Sequence, residues 1–132
     1  MSDTRTVLIV DDDHDFVESN KDLLEAYGYR VLAAHDGASG LEMAKKERPD
    51  IMILDVMMAT QTEGFEVARK IPQTPELKGL HVLLVTGVTK DLHLPFHFEP
   101  DASWLPVERV LEKPIAPARL LAEIQKALGG NN

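Results

Sequence analysis

This sequence predicts a doubly wound α/β fold, one five-stranded parallel sheet with helices on both faces. Three observations predict it. Unbroken apolar runs recur at residues 7–10 (VLIV), 51–54 (IMIL) and 82–85 (VLLV), the pattern of strands buried on both faces. Segments with helical spacing alternate with those runs, so the strands run parallel and join through right-handed crossovers. Polar side chains suited to chemistry stand at the ends of the runs, at Asp11, Asp55 and Thr86, where open parallel sheets build their sites.

Each element has its own signal. The first strand is 7–10. A helix over 14–27 follows, with Phe16, Asn20, Leu23, Leu24 and Tyr27 sharing one face and Gly28 stopping it. Residues 29–34 read as the second strand. Asp36 can cap a helix over 37–47 that Pro49 ends. The third strand, 51–54, runs into Asp55. A loop and a helix over about 64–71 come next, then the fourth strand, 82–85, ending at Thr86. A fifth strand is expected over 107–112. Pro117 suits the first turn of a last helix whose inner face carries Leu120, Leu121, Ile124 and Leu128. Gly129 and Gly130 read as its stop.

Residues 89–106 break this rhythm. Pro95, Pro100 and Pro106 fall in a stretch where a fourth crossover helix is due. An internal proline costs a helix about 3 kcal/mol, so at best a short turn is expected near 88–94, and the fourth-helix region is irregular. Phe96, Phe98 and Trp104 lie here and read as core fillers rather than a docking patch.

The 132 residues suit one domain, with a core over about 5–128, and no output domain is visible. With 44% hydrophobic and 27% charged residues, the composition is that of a globular protein. No apolar run approaches the roughly 20 residues that span a bilayer, and no signal peptide stands at the start, so a cytoplasmic location without membrane insertion is expected. The absence of cysteine excludes disulfides, thiolate zinc sites and cysteine nucleophiles. The net charge of −8 argues against direct nucleic-acid binding. Gly37, Gly40 and Gly64 follow no phosphate-loop spacing. His93 and His97 are spaced by four, but Pro95 lies between them and no further ligand is evident, so no metal pair is read there. His14, His35 and His81 read as surface or edge residues.

The first strand runs straight into Asp11, Asp12 and Asp13. Two carboxylates about 5 Å apart repel by roughly 3 kcal/mol at an effective dielectric of about 20. A flavodoxin-like strand order, 2-1-3-4-5, suggests what offsets this. It sets strands one, three, four and five side by side, bringing the acids together with Asp55, Thr86 and Lys113. Hard oxygen ligands suit Mg²⁺. A carboxylate held beside the cation can attack a phosphoryl group, with the ammonium and hydroxyl stabilising its oxygens. Asp13 fits a helix cap better than a ligand.

Four motifs in register resemble the receiver domains of two-component response regulators: VLIVDDD, DIMILDVMM around Asp55, VLLVTG at Thr86 and LEKP at Lys113. The resemblance implies that Asp55 accepts a phosphoryl group from a phosphohistidine on a sensor histidine kinase or phosphotransfer protein. It implies that Asp12 and Asp55 ligate Mg²⁺ directly with the Met57 backbone carbonyl, and that Asp11 acts mostly through water. It assigns Thr86, Lys113 and the Gly87 N–H to the phosphoryl oxygens, and it implies a cis Lys113–Pro114 peptide. Signalling would then run through a changed surface to a downstream protein, with no chemistry beyond the domain's own phosphorylation and dephosphorylation. The sequence departs from the family at three places. Met58 is followed by Ala59 where Met-Pro is usual, the ATQTEG loop is about one residue longer, and Val110 stands where many members carry a switching aromatic residue. Two other readings compete. One is an interaction module with this fold that works without phosphorylation. The other is a Mg²⁺-dependent phosphatase resembling the haloacid dehalogenases, with Asp11 and Asp13 in a D-x-D pattern.

Overall fold

The computed structural model describes residues 4–55, 63–86 and 107–129. Five strands form one parallel sheet: β1 (Thr6–Val10), β2 (Arg30–Ala34), β3 (Ile51–Asp55), β4 (His81–Thr86) and β5 (Arg109–Glu112). Their order is β2-β1-β3-β4-β5. Helices α1 (His14–Ala26), α2 (Gly37–Glu47), α3 (Glu63–Lys70) and α4 (Pro117–Ala127) surround it. Two 3-10 turns, Ile71–Gln73 and Pro75–Leu77, lead from α3 into β4.

The apolar runs are unbroken because each strand feeds two cores. Alternate side chains leave opposite faces of a strand. Leu8, Val10, Met52, Leu54, Val82 and Leu84 pack with Ala44 of α2 and Val67 and Ala68 of α3. Val7, Ile9, Ile51, Ile53, Leu83 and Val85 pack with Val17 and Leu24 of α1 and Leu120 and Ile124 of α4. Glu123 of α4 is buried between Arg109 of β5, at 3.4 Å, and Arg119, at 3.2 Å, which ties the last helix to the sheet edge.

Among the described residues the five expected strands and four expected helices are present, with shifted ends. The paired part of β5 begins at Arg109 rather than residue 107, although the Glu108 N–H already donates to the Val82 carbonyl at 2.7 Å. Tyr27 is not on the inner face of α1; it is 62% exposed. The helix ends at Ala26, and Tyr27 has left helical geometry at φ −95° and ψ 10°, so the 3.6-residue spacing no longer carries its side chain inward. Gly28 follows at φ +94°, a conformation that favours glycine. Val110, in place of an aromatic residue, is half-buried against the core under α2 and α3. Residues 89–106, where an irregular segment with three aromatic residues is expected, lie outside the described residues, as do residues 56–62.

Gly40 sets how closely α2 approaches the sheet. A Cβ at this position would stand 2.7 Å from both γ-carbons of Val10. Alanine gains about 1 kcal/mol of helix propensity, and overpacking costs about 1–3 kcal/mol. Val10 is fully buried and cannot swing away. Gly40→Ala is therefore expected to destabilise by up to about 2 kcal/mol net. A lower urea midpoint at unchanged slope is the measurement. A Val10→Ala partner change should recover part of the loss; a neutral or stabilising Gly40→Ala would show that the helix can lift.

Candidate phosphoryl-transfer site

The strand order makes β1, β3, β4 and β5 consecutive, and their carboxyl ends converge. β1 delivers Asp11 and Asp12, β3 ends in Asp55, β4 ends in Thr86, and Lys113 directly follows β5. Asp11, Asp55 and Thr86 are 1%, 4% and 1% exposed, whereas Asp12 faces solvent. Asp11, Asp12 and Asp55 each offer an oxygen within 4.8 Å of the others.

Local sequence explains why the acids stay there. Asp13 is the N-cap of α1: its Oδ1 accepts from the Phe16 N–H at 3.1 Å. Its own N–H donates to Asp11 Oδ1 at 2.9 Å. Asp13 therefore turns away from the cluster and orients Asp11. The second Asp11 oxygen accepts from Lys113 Nζ at 2.8 Å. Lys113 in turn is fixed by its backbone N–H on the Thr86 carbonyl at 2.8 Å, and the Lys113–Pro114 peptide is cis. The ammonium also lies 4.4 Å from the centroid of the Phe16 ring.

The Thr86 hydroxyl is buried and has no hydrogen-bond partner among the described residues. A buried hydroxyl without a partner costs about 1–3 kcal/mol. Its place at the end of β4, on the strand beside the acids and the ammonium, suits an oxygen of an incoming group. The three carboxylates present only hard oxygen donors, which fit a divalent cation such as Mg²⁺ and would not select a soft metal.

Asp11, Asp12, Asp55, Thr86 and Lys113 stand at one end of the sheet, where the sequence places them. Met57 and Gly87, expected to add a carbonyl and an N–H, lie outside the described residues. Two contacts were not expected. Phe16 read only as part of the inner face of α1, and it touches Lys113. His14 and His35 are exposed, as read, but their rings stack at 4.0 Å, and His35 Nδ1 meets the Asp11 carbonyl at 2.9 Å. No spacing rule signals either contact, because each joins residues far apart in the chain. His81 sits at the opposite end of β4, half-exposed and paired with Glu108.

A parallel doubly wound sheet with clustered carboxylates, a hydroxyl and a lysine at its carboxyl end defines the class: an α/β protein with an acidic cluster at the carboxyl end of its sheet. The particular family follows. Residues 7–125 match the response regulator receiver domain, and the chain belongs to that family. It is 32% identical to protein PilH of Pseudomonas aeruginosa over 127 residues, covering 94% of this chain and 98% of PilH. It is 42% identical to the response regulator MprA of Mycobacterium ulcerans over 81 residues, 61% of this chain but only 34% of MprA. Among solved structures, a putative response regulator from Chloroflexus aurantiacus superposes with a TM-score of 0.78 at 26% identity, covering 96% of this chain and 98% of that one. The chemotaxis protein CheY4 of Vibrio cholerae gives 0.76 at 27%, covering 94% and 98%. Among the described residues no helix is long and apolar enough to cross a membrane.

Proposed function

We propose that this chain, read as a single receiver domain, is a phosphoacceptor switch. Asp55 takes a phosphoryl group from a phosphohistidine on a sensor histidine kinase or phosphotransfer protein and alters a surface read by a downstream protein. One observation carries this reading: three clustered acids share the carboxyl end of the sheet with a half-buried ammonium and a buried hydroxyl that has no hydrogen-bond partner among the described residues.

In the proposed step, an Asp55 carboxylate oxygen attacks phosphorus. The phosphorus–nitrogen bond to the imidazole breaks, and its electron pair stays on that nitrogen, which takes a proton. The product is an acyl phosphate on Asp55. Asp11, Asp12 and Asp55, with the Met57 carbonyl, would hold Mg²⁺, which when bound neutralises charge on the phosphoryl oxygens. Lys113 supplies a second positive charge to them, and the Thr86 hydroxyl and Gly87 N–H donate hydrogen bonds. Pulling Thr86 toward the phosphoryl group is the first movement of the switch.

The dehalogenase-like alternative needs Asp11 and Asp13 as its working pair. Asp13 instead accepts from the Phe16 N–H, and Asp55 closes the cluster. That geometry favours the receiver reading. Incubation with acetyl phosphate and Mg²⁺ is expected to add one phosphoryl group, about 80 Da, on the peptide containing Asp55. Chelation of Mg²⁺ should stop the reaction. A chain that takes no label from acetyl phosphate or from a phosphorylated transfer protein would be an interaction module instead.

A further inference from the structure

Lys113 has two partners of different kinds. It donates to Asp11 Oδ2 at 2.8 Å, and its nitrogen lies over the Phe16 ring, 4.4 Å from the centroid. We infer that Phe16 is a positioning residue for Lys113, its π face holding the ammonium beside the acid cluster; this rests on the phosphoacceptor reading above.

The ring is well anchored. Its backbone N–H donates to Asp13 Oδ1 at 3.1 Å, and its carbonyl accepts from Asn20 Nδ2 at 2.7 Å. Asn20 is itself buried, and the ring packs against the core under α1 and α4. The helix cap and the Asn20 amide thus fix the first turns of α1. The lysine, on its long flexible stem, comes to the ring rather than the reverse.

The chemistry favours a ring over another acid at this place. A second carboxylate would also hold the ammonium, but it would cancel the positive charge that the phosphoryl oxygens need. A ring face attracts the ammonium through its quadrupole and leaves the charge intact. Only 20% of the Lys113 side chain is exposed, so water competes weakly for it. Asp11 cannot do this work alone, because it also belongs to the cluster offered to a cation. When that cluster holds a cation, the pull of Asp11 on Lys113 weakens, and the grip of Phe16 does not.

The test replaces Phe16 site-specifically with mono-, di- and trifluorophenylalanine. These keep the ring's shape and weaken its quadrupole in steps. The rate of Asp55 labelling by acetyl phosphate is expected to fall in the same steps, to about three- to tenfold below wild type. Melting temperatures should stay unchanged. Phe16→Leu should slow labelling similarly, and Phe16→Trp should match or exceed wild type. Independently of any phosphoryl donor, the Lys113 ε-methylene protons should show an upfield ring-current shift that Phe16→Leu removes. Equal rates across the fluorinated series overturn the role of the ring face and leave Phe16 as packing. An ordinary Lys113 shift in wild type overturns the contact itself. A wild-type chain that takes no label overturns the phosphoacceptor reading, and this inference with it.

Discussion

Asp55→Asn is expected to reduce labelling by acetyl phosphate and Mg²⁺ to background while leaving a folded protein. The amide has the size of the carboxylate, and Asp55 is only 4% exposed, so an isosteric change creates no cavity there. What disappears is the anionic oxygen that forms the acyl phosphate. Removing one of three acids within 4.8 Å also relieves repulsion of about 3 kcal/mol per pair at an effective dielectric of about 20. The variant should therefore melt no lower than wild type without metal. Intact mass spectrometry and a thermal melt on the same sample separate lost chemistry from lost fold. Full labelling of Asp55→Asn would move the nucleophile elsewhere, with Asp12 the first candidate because it is the exposed acid of the cluster.

The parts of the fold legible in the sequence were those where local pattern and global packing agree. The runs 7–10, 51–54 and 82–85 became buried strands because both faces of the sheet are covered. The site followed from topology: once strands one, three, four and five are neighbours, Asp11, Asp12, Asp55, Thr86 and Lys113 must meet. Asp13 was legible as a cap because a carboxylate just before a helical stretch has a backbone N–H within reach. Tyr27 was misread because periodicity holds only while the helix does, and the chain had already turned toward Gly28. The close approach of Gly40 to Val10, the Phe16–Lys113 contact and the His14–His35 stack join separate elements, so only the packed structure reveals them.

Lys113→Ala is expected to weaken the metal-free protein and strengthen its response to Mg²⁺. Asp11 is 1% exposed and pairs with Lys113 at 2.8 Å. Deleting the ammonium leaves a buried charge facing two more carboxylates, a change that typically costs about 3 kcal/mol or more. The Asp13 N–H still bonds Asp11 Oδ1, which keeps the loss near that lower figure. A melting temperature lower by roughly 10 °C follows for a domain of this size, at about 3–5 °C per kcal/mol. The cluster with its lysine carries three negative charges and one positive, and Lys113→Ala removes the positive one. A divalent cation gains more from the second arrangement and stabilises the folded state in proportion. Mg²⁺ should therefore raise the melting temperature most in Lys113→Ala, less in wild type and least in Asp12→Ala, which lacks one proposed ligand. Labelling runs the other way: Lys113→Ala should transfer phosphoryl groups about 100-fold more slowly, since a preorganised charge near the developing oxygens is gone. Equal Mg²⁺ shifts in all three proteins would move the metal away from this cluster. An undiminished labelling rate in Lys113→Ala would remove the lysine from the transfer step and leave it as the counter-charge of Asp11.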